Sequence, residues 1–505
     1  MGASKPVMVR RFMRRLKTLE AWLGAGPAWR IPVLLTLLFG AIHALYFAAG
    51  LQMTDLTSLS WDWHFIDEFL LRNRPIESLF YLHTQPPVQN TLLALFLQLP
   101  EQIRPYVFPL IYTCFGLVFY FSLYRIMVSL GVAGALALLL STAFIASPSF
   151  VLLEYSAAYD FPVAAMTALS ALLLLRFLRS MTFRKGFAFF GALCVLCLTR
   201  SLFHLVFLVI VIVLLCVQYR RYARTILLSA GIPLLLTFSW YAKNYVVFGK
   251  FTASTWMGMN ASKLISRSTS GEQRAAWVQE GVCSGIMLIE PWSDLSSYPH
   301  VYSEVDRRFA GIPVLNEPVK SSGYKNLHHA GYIAVADQYF TDVISIARRY
   351  PGSYLKGYAA SWFCYFRATD ESSFLPLAAN FRGLIAFYDY VFYGKSPWPI
   401  SFKTDRKDAY NFYVFLLLGL PLLFWYGIRL TRKESDLDTA DRTLVLYLLF
   451  TIAFIALVIN AFELAENQRA RFYSDGFSLI LFAHFLQAKV AGRWLKPGVP
   501  GLQEP

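Results

Sequence analysis

Charge is scarce in this chain. Only 15% of its 505 residues are Asp, Glu, Lys or Arg, whereas soluble domains carry about a quarter. With 56% apolar residues and a mean hydropathy of +0.47, this shortage excludes an ordinary soluble enzyme. Acidic residues are the scarcer of the two signs, 31 against 46, which leaves a net charge of +15. The excess does not point to nucleic acid, because the basic residues punctuate long apolar runs instead of forming stretches on a soluble face. Cysteine is scarce as well. Cys114, Cys194, Cys197, Cys216, Cys283 and Cys364 are too few and too scattered for a disulfide scaffold or a zinc site. Cys194 and Cys197 form a C-x-x-C inside an apolar run, which reads as two small core residues. Cys283 and Cys364 could pair in an oxidising compartment. Repeats of fixed period and low-complexity tracts are missing too, which excludes a solenoid.

What the chain has in abundance is apolar sequence in runs of membrane length. A membrane helix needs roughly 20 mainly apolar residues. Ten runs qualify as candidates: 31–50, 105–127, 131–150, 160–178, 186–199, 202–218, 225–245, 411–430, 443–460 and 476–489. The expected fold class is therefore an all-α polytopic membrane protein. The first run follows a basic arm, as a signal peptide would, but it exceeds the usual apolar core of about 7–15 residues and reads as an uncleaved anchor.

Lys and Arg stay on the cytoplasmic side of a membrane. The N-terminal arm holds Lys5, Arg10, Arg11, Arg14, Arg15, Lys17 and Arg30 against Glu20 alone. If the chain alternates from there, the connections around Arg176 to Lys185 and Arg220 to Arg224, and the tail with Lys489, Arg493 and Lys496, also face inward. The connection 51–104 has an acidic excess and fits the outer face. This predicts cytoplasmic N- and C-termini. Three parts follow: residues 1–245 as a transmembrane module with an acidic first outer loop, 246–410 as an outer segment rich in Gly, Pro, Tyr and Trp, and 411–505 as a second transmembrane module.

Polar residues collect in the predicted outer loops. Residues 59–72 place Trp61, Phe65, Phe69 and Arg72 near one helical face, with Asp62 and His64 off it, which predicts an interfacial helix whose aromatic residues sit at headgroup depth. Asp62, Asp67 and Glu68 then lie near the water boundary; a solvated acidic face on a surface helix is the plainer alternative. Pro86-Pro87 cannot continue a helix and fixes an extended turn that presents His83, Gln85 and Gln89. Arg200 and His204 are four apart between two runs, which predicts one helical face. An intramembrane Arg costs about 2.5–3.5 kcal/mol, so an anionic partner is its default reading, with snorkelling to the interface the alternative. Asp160, Lys243, Glu466, Asn467, Arg469 and Arg471 fall on the same side in this topology. His328-His329 read as a hydrated loop pair. Acids and fixed cations on one membrane face predict a site that holds an anion and removes a proton.

A lipid-linked phosphate at that interface would need an apolar groove for its tail and Arg, Lys or His for its headgroup. Sugar transfer from such a donor needs a carboxylate to take the acceptor's proton, a contribution on the order of 10²–10⁴-fold, and cations for the leaving phosphate. The acidic first loop with His83-Thr84-Gln85-Pro86-Pro87, the stretch Lys243-Asn244-Tyr245-Val246-Val247-Phe248-Gly249-Lys250-Phe251, and Glu466-Asn467-Gln468-Arg469-Ala470-Arg471-Phe472 resemble the GT-C fold glycosyltransferases. Within them the broad group is the protein O-mannosyltransferase and lipid A aminoarabinose transferase superfamily, in a bacterial branch. The resemblance covers the span pattern over most of the chain, with 260–410 contributing less.

The resemblance implies an integral enzyme of a bacterial inner or plasma membrane that inverts a sugar from a polyprenyl phosphate monosaccharide onto an acceptor at the outer face. An Asp of the first outer loop is the proposed base in that superfamily. Asp67-Glu68 preserves an Asp-Glu dipeptide, whereas Asp62 keeps the usual distance to the prolines, so Asp62 is favoured with Asp67 and Glu68 as rivals. The resemblance makes Arg200, His204, Lys243, Arg469 and Arg471 candidates for the donor phosphate, and His64, His83, Gln85, Asp160, Glu466 and Asn467 candidates for acceptor or sugar contacts. Some relatives use a divalent cation, and these residues do not define a site for one. Two other classes compete. A polysaccharide polymerase or O-antigen ligase acting on lipid diphosphate donors would use Arg348-Arg349 and His328-His329, but needs no acidic first loop. A polytopic transporter would carry polar residues near mid-membrane and paired halves.

Overall fold

The computed structural model describes residues 7–52, 62, 64–156, 158–304, 306–371, 381–400 and 410–491. Those residues are predominantly helical. The chain opens with α1 (Val7–Gly24) and α2 (Arg30–Ala48), then three short helices, α3 (Glu68–Asn73), α4 (Pro75–Phe80) and α5 (Val88–Leu97). A run of long helices follows: α6 (Arg104–Ser129), α7 (Gly134–Ile145), α8 (Pro148–Glu154), α9 (Asp160–Ser180), α10 (Phe183–Thr199), α11 (Leu205–Gln218) and α12 (Ala223–Phe248). The segment after α12 contains α13 (Met257–Ser266), α14 (Gly271–Gln279), α15 (Pro313–Asn316), α16 (Gly331–Arg349), α17 (Pro351–Tyr365) and α18 (Arg382–Tyr388). The antiparallel strands β1 (Lys395–Ile400) and β2 (Tyr410–Tyr413) precede α19 (Val414–Leu430), α20 (Thr439–Phe462) and α21 (Asn467–Leu486).

Each predicted apolar run contains a helix, and five helices among the described residues are long and apolar enough to cross a membrane: α2, α6, α9, α20, and α12 with the turn before it. This marks a membrane protein. α7 and α8 together make a sixth candidate, bent by 61°. The run 131–150 therefore does not form one straight helix. Ser147 turns out into an extended conformation, caps α8 through its hydroxyl, and hands the chain to Pro148, whose missing N–H costs nothing at a first helical position.

Burial ranks the helices. Only 22% of the apolar window of α2 is buried, but 78% of that of α9 is, so α9 is the central post and α2 lies at the periphery. Its sequence explains this: Ala164, Ala165, Thr167, Ala168, Ser170 and Ala171 present a small-residue surface that lets neighbouring backbones approach. At one end of the bundle, α1 docks on α7, where the Glu20 carboxylate accepts the backbone N–H of Ala135 at 2.7 Å and so satisfies a free donor of that helix terminus.

The expected interfacial helix over 59–72 is corrected by the structure. Trp61 lies outside the described residues, and helix begins only at Glu68. Asp62 and Asp67 use their carboxylates to accept the backbone N–H of His64 (2.7 Å) and Phe69 (3.1 Å), a local alternative that competes with helical hydrogen bonding. Phe65 is then buried while Phe69 stays exposed, so the aromatic residues share no face. Residues 81–87 are non-helical, as the prolines require.

The segment after α12 has its own core, in which Trp256, Met259, Trp277, Tyr332 and Tyr339 are buried. Cys283 belongs to this core and Cys364 to a separate small cluster, and both are free thiols, as are Cys194 and Cys197 inside the bundle. The hairpin is tied down by Lys395, whose ammonium donates to Glu371 and Asp389 at 2.9 Å each. The tightest approach in this segment is at Gly258 of α13, where a methyl group would collide with the carbonyl oxygen of Ala336 in α16. Gly258→Ala is expected to destabilise the protein by about 1–3 kcal/mol, whereas Gly231→Ala, which faces open space, should be neutral; thermal unfolding of the detergent-solubilised protein compares the two.

Candidate functional site

Helix ends and loops from across the chain meet in one cleft of about 110 Å³ at one end of the bundle. His64 and Gln85 come from the first connection, Arg200 and His204 from the link between α10 and α11, Glu466 and Arg469 from the start of α21. Trp256, Asn260, Lys263 and Trp292 close it from the segment after α12. Six of the residues singled out in the sequence thus share one cavity.

Arg200 and His204 do not reach it by helical periodicity. α10 ends at Thr199, Arg200 is extended, and His204 is the extended residue that starts α11. The tight loop between the helices turns both side chains into the cleft.

Tyr159 is the hub. It is 2% exposed, and its hydroxyl lies 3.0 Å from Nε2 of His64. The same hydroxyl accepts an N–H from Arg469 at 3.3 Å and another from Arg200, and the Arg200 guanidinium sits 4.3 Å from the centre of the tyrosine ring. A phenol oxygen that accepts two guanidinium N–H groups directs its own proton elsewhere, here to Nε2 of His64. That assigns the tautomer: Nδ1 carries the proton and donates to Asp62 at 2.9 Å.

Arg469 is fixed by Asp160 (3.2 Å) and Glu466 (3.1 Å). Asp160 is fully buried and also accepts the Tyr473 hydroxyl. Arg200 differs: among the described residues no carboxylate lies within ion-pair distance of it, and its buried Nε has no hydrogen-bond acceptor. Asp62 stands behind His64, 27% exposed. Burial pushes its carboxyl up, but His64 and the Lys320 ammonium outweigh that and leave it below the usual range. Burial pushes the His64 imidazole down, Arg469 and Arg200 push the same way, and Asp62 opposes them.

The other expected residues serve elsewhere. Asp67 caps α3 and accepts from Ser321 at 2.8 Å, and Glu68 lies in the first turn of that helix. Lys243 donates to the carbonyl of Leu82 at 2.5 Å and lies 3.7 Å from the Trp240 ring centre. Arg471 grips Asp475 (3.0 Å) and the carbonyls of Tyr365 (2.7 Å) and Arg367 (2.5 Å), joining α17 to α21. Asn467 binds Asn460 and the carbonyl of Glu463, both at 2.9 Å. His83 is buried between Thr255 (2.8 Å) and the carbonyl of His328 (2.9 Å), and burial pushes it down to about 3; it is not presented to a ligand. His328 and His329 are buried too, correcting their reading as a hydrated pair. No three His, Cys, Asp or Glu side chains among the described residues are set to hold a metal ion.

Sequence reasoning missed Tyr159, the buried pair Lys263–Glu463 (2.9 and 3.1 Å), and Lys320, whose ammonium donates to the backbone carbonyl of Asp62 at 2.6 Å. It also missed Trp292, held at φ 74° in the cleft wall, and Ala465, held at φ 127° beside Glu466. The one available signal was Lys263, a basic residue among the buried residues of α13. The chain matches no protein-family model, no curated protein and no solved structure.

Two tests follow from this geometry. Lys263→Met strands a buried carboxylate and should cost about 3–5 kcal/mol, most of it recovered by adding Glu463→Leu; unfolding of the single and double variants decides it. Burial pushes the Lys320 ammonium down to about 8 from 10.5 in water. The unfolded chain therefore binds more protons between those values, so this residue's contribution to stability rises with pH from about 8 to 10.5. Lys320→Met should flatten that rise in a pH series of melting temperatures.

Proposed function

We propose that the protein is an integral membrane glycosyltransferase of GT-C type, with about ten membrane-crossing helices, that moves a sugar from a polyprenyl phosphate monosaccharide to an acceptor at the outer face of a bacterial inner or plasma membrane. The observation that carries the reading is Arg200: a guanidinium turned into the cleft with no carboxylate among the described residues within ion-pair distance of it, beside a histidine backed by an aspartate. An Arg held against one aromatic ring, with Glu463 and Glu466 in the same cleft but neither paired to it, is arranged to receive a phosphate.

The division of labour is then as follows. Arg200 and Arg469 hold the donor phosphate and stabilise its charge as the glycosidic bond breaks. His64 Nε2 takes the proton from the acceptor hydroxyl as its oxygen attacks the anomeric carbon, in place of the Tyr159 O–H, which turns away once the guanidiniums have left the phenol for the phosphate, while Asp62 fixes the imidazole tautomer through Nδ1. The ten-span reading is supported by the helix found in every predicted run. Burial of His328 and the role of His83 as its partner weigh against the polymerase or ligase reading, which would draw on His328-His329. The clustering of charge at one end of the bundle weighs against a transporter.

Membranes containing the protein, supplied with labelled polyprenyl phosphate sugars and in parallel with lipid diphosphate oligosaccharides, should transfer label only from the former. Arg200→Ala should weaken donor binding about 10–100-fold, the worth of a charge-assisted hydrogen bond, and Asp62→Asn should slow transfer on the order of 10²-fold or more. Transfer from the diphosphate donor, or an Arg200→Ala variant with undiminished affinity, would remove the reading.

A further inference from the structure

Tyr159 joins two halves of the cleft that the proposed reaction uses for different purposes. On one side are the cations, Arg200 and Arg469, both donating to the phenol oxygen. On the other is His64, whose Nε2 accepts the phenol proton at 3.0 Å and whose Nδ1 is bound to Asp62 at 2.9 Å. The phenol is nearly inaccessible, so water does not mediate between them. We propose that Tyr159 is a positioning residue that couples the two sides: an anion on the guanidiniums makes His64 the stronger proton acceptor.

The physical argument is one of polarisation along a hydrogen-bonded chain. With the cleft empty, two positive groups draw electron density from the phenol oxygen and make its O–H a strong donor to His64, which lowers the imidazole's appetite for a proton. A phosphate competes for the same N–H groups and offers charged oxygens that outbid a neutral phenol. As Arg200 and Arg469 turn to it, the Tyr159 O–H becomes a poorer donor and Nε2 a better acceptor. Arg200 is free to make this turn because no carboxylate among the described residues holds it, while Asp160 and Glu466 anchor Arg469. Among the described residues the groups around His64 are Asp62 in its own loop, Tyr159 and Asp160 at the start of α9, Arg200 after α10, Glu466 and Arg469 at the start of α21, and His328 from the outer segment, with Lys320 beyond them against Asp62. Tyr159 touches both the cations and the imidazole. The inference rests on the glycosyltransferase reading for the identity of the anion, and on the geometry alone for the coupling.

The test uses the full-length protein in nanodiscs with ¹³C-labelled histidine, His64 being assigned with a His64→Gln variant, and farnesyl phosphate as the probe. In the natural protein, saturating farnesyl phosphate should raise the His64 titration midpoint by about one pH unit, a tenfold change in proton affinity. In Tyr159→Phe the rise should fall to less than half of that while farnesyl phosphate still binds. If Tyr159→Phe does not fold, 3-fluorotyrosine at position 159 keeps every contact and supplies a more acidic phenol. It should lower the midpoint in the empty cleft and enlarge the rise on binding. Equal rises in all three proteins, or none in the natural one, would overturn the coupling. Because the probe carries no sugar, a protein that shows the rise yet transfers from no polyprenyl phosphate sugar would lose the proposed function and keep the coupling.

Discussion

The arrangement of the cleft depends on one buried ion pair. Asp160 opens the central helix, Arg469 opens the last, and each is almost wholly withdrawn from water. A charge so placed is tolerable only with an opposite charge and enough hydrogen bonds beside it, and here Tyr473, Glu466 and Tyr159 supply the rest. Because both members sit at helix starts, the pair fixes where α9 and α21 begin relative to one another. Tyr159 is the residue before Asp160, so the same contact sets the phenol between Arg200 and His64.

Around that fixed point the walls are of two kinds. The bundle side mixes charged residues with Leu202, Val458, Ile459 and Phe462, while the side built by the segment after α12 carries indole rings and Lys263, which reaches across to Glu463 at the end of α20. Trp292 and Ala465 hold left-handed backbone conformations that residues other than glycine seldom adopt, at a cost on the order of 1–3 kcal/mol each. Both lie at or beside the cleft. The surrounding packing that enforces these conformations also keeps the cavity's shape.

The helices were legible because apolar length is a strong signal and the bilayer sets its scale, and five of the ten runs hold a helix long and apolar enough to cross. The bend at Ser147-Pro148 was written in the sequence as a helix-start signature, but it was hidden inside a continuous apolar run. Arg200 was singled out because charge is costly in apolar surroundings, His204 for its spacing from Arg200, Gln85 for the turn that Pro86-Pro87 fixes, and His64, Glu466 and Arg469 because they fall in predicted outer loops. Outer-loop position also collected Lys243, Arg471 and Asn467, which bind backbone carbonyls and neighbouring side chains instead. Burial cost is the same for a ligand-binding cation as for a structural one, so sequence alone does not separate them. Tyr159 escaped because a tyrosine in an aromatic-rich chain carries no such cost signal, and its importance comes from partners up to 310 residues away. The first loop misled because its helical spacing ignored two aspartates able to capture backbone N–H groups.

That separation also bears on biosynthesis. Tyr159 and Asp160 leave the ribosome long before Arg469, and at roughly 5–20 residues per second the interval over about 310 residues is on the order of 15–60 seconds. Throughout it the translocon or its partners must house a helix whose leading carboxylate still awaits its guanidinium, a state that a bilayer tolerates poorly. Premature termination between Asp160 and the last helix would therefore strand an acid in the nascent bundle.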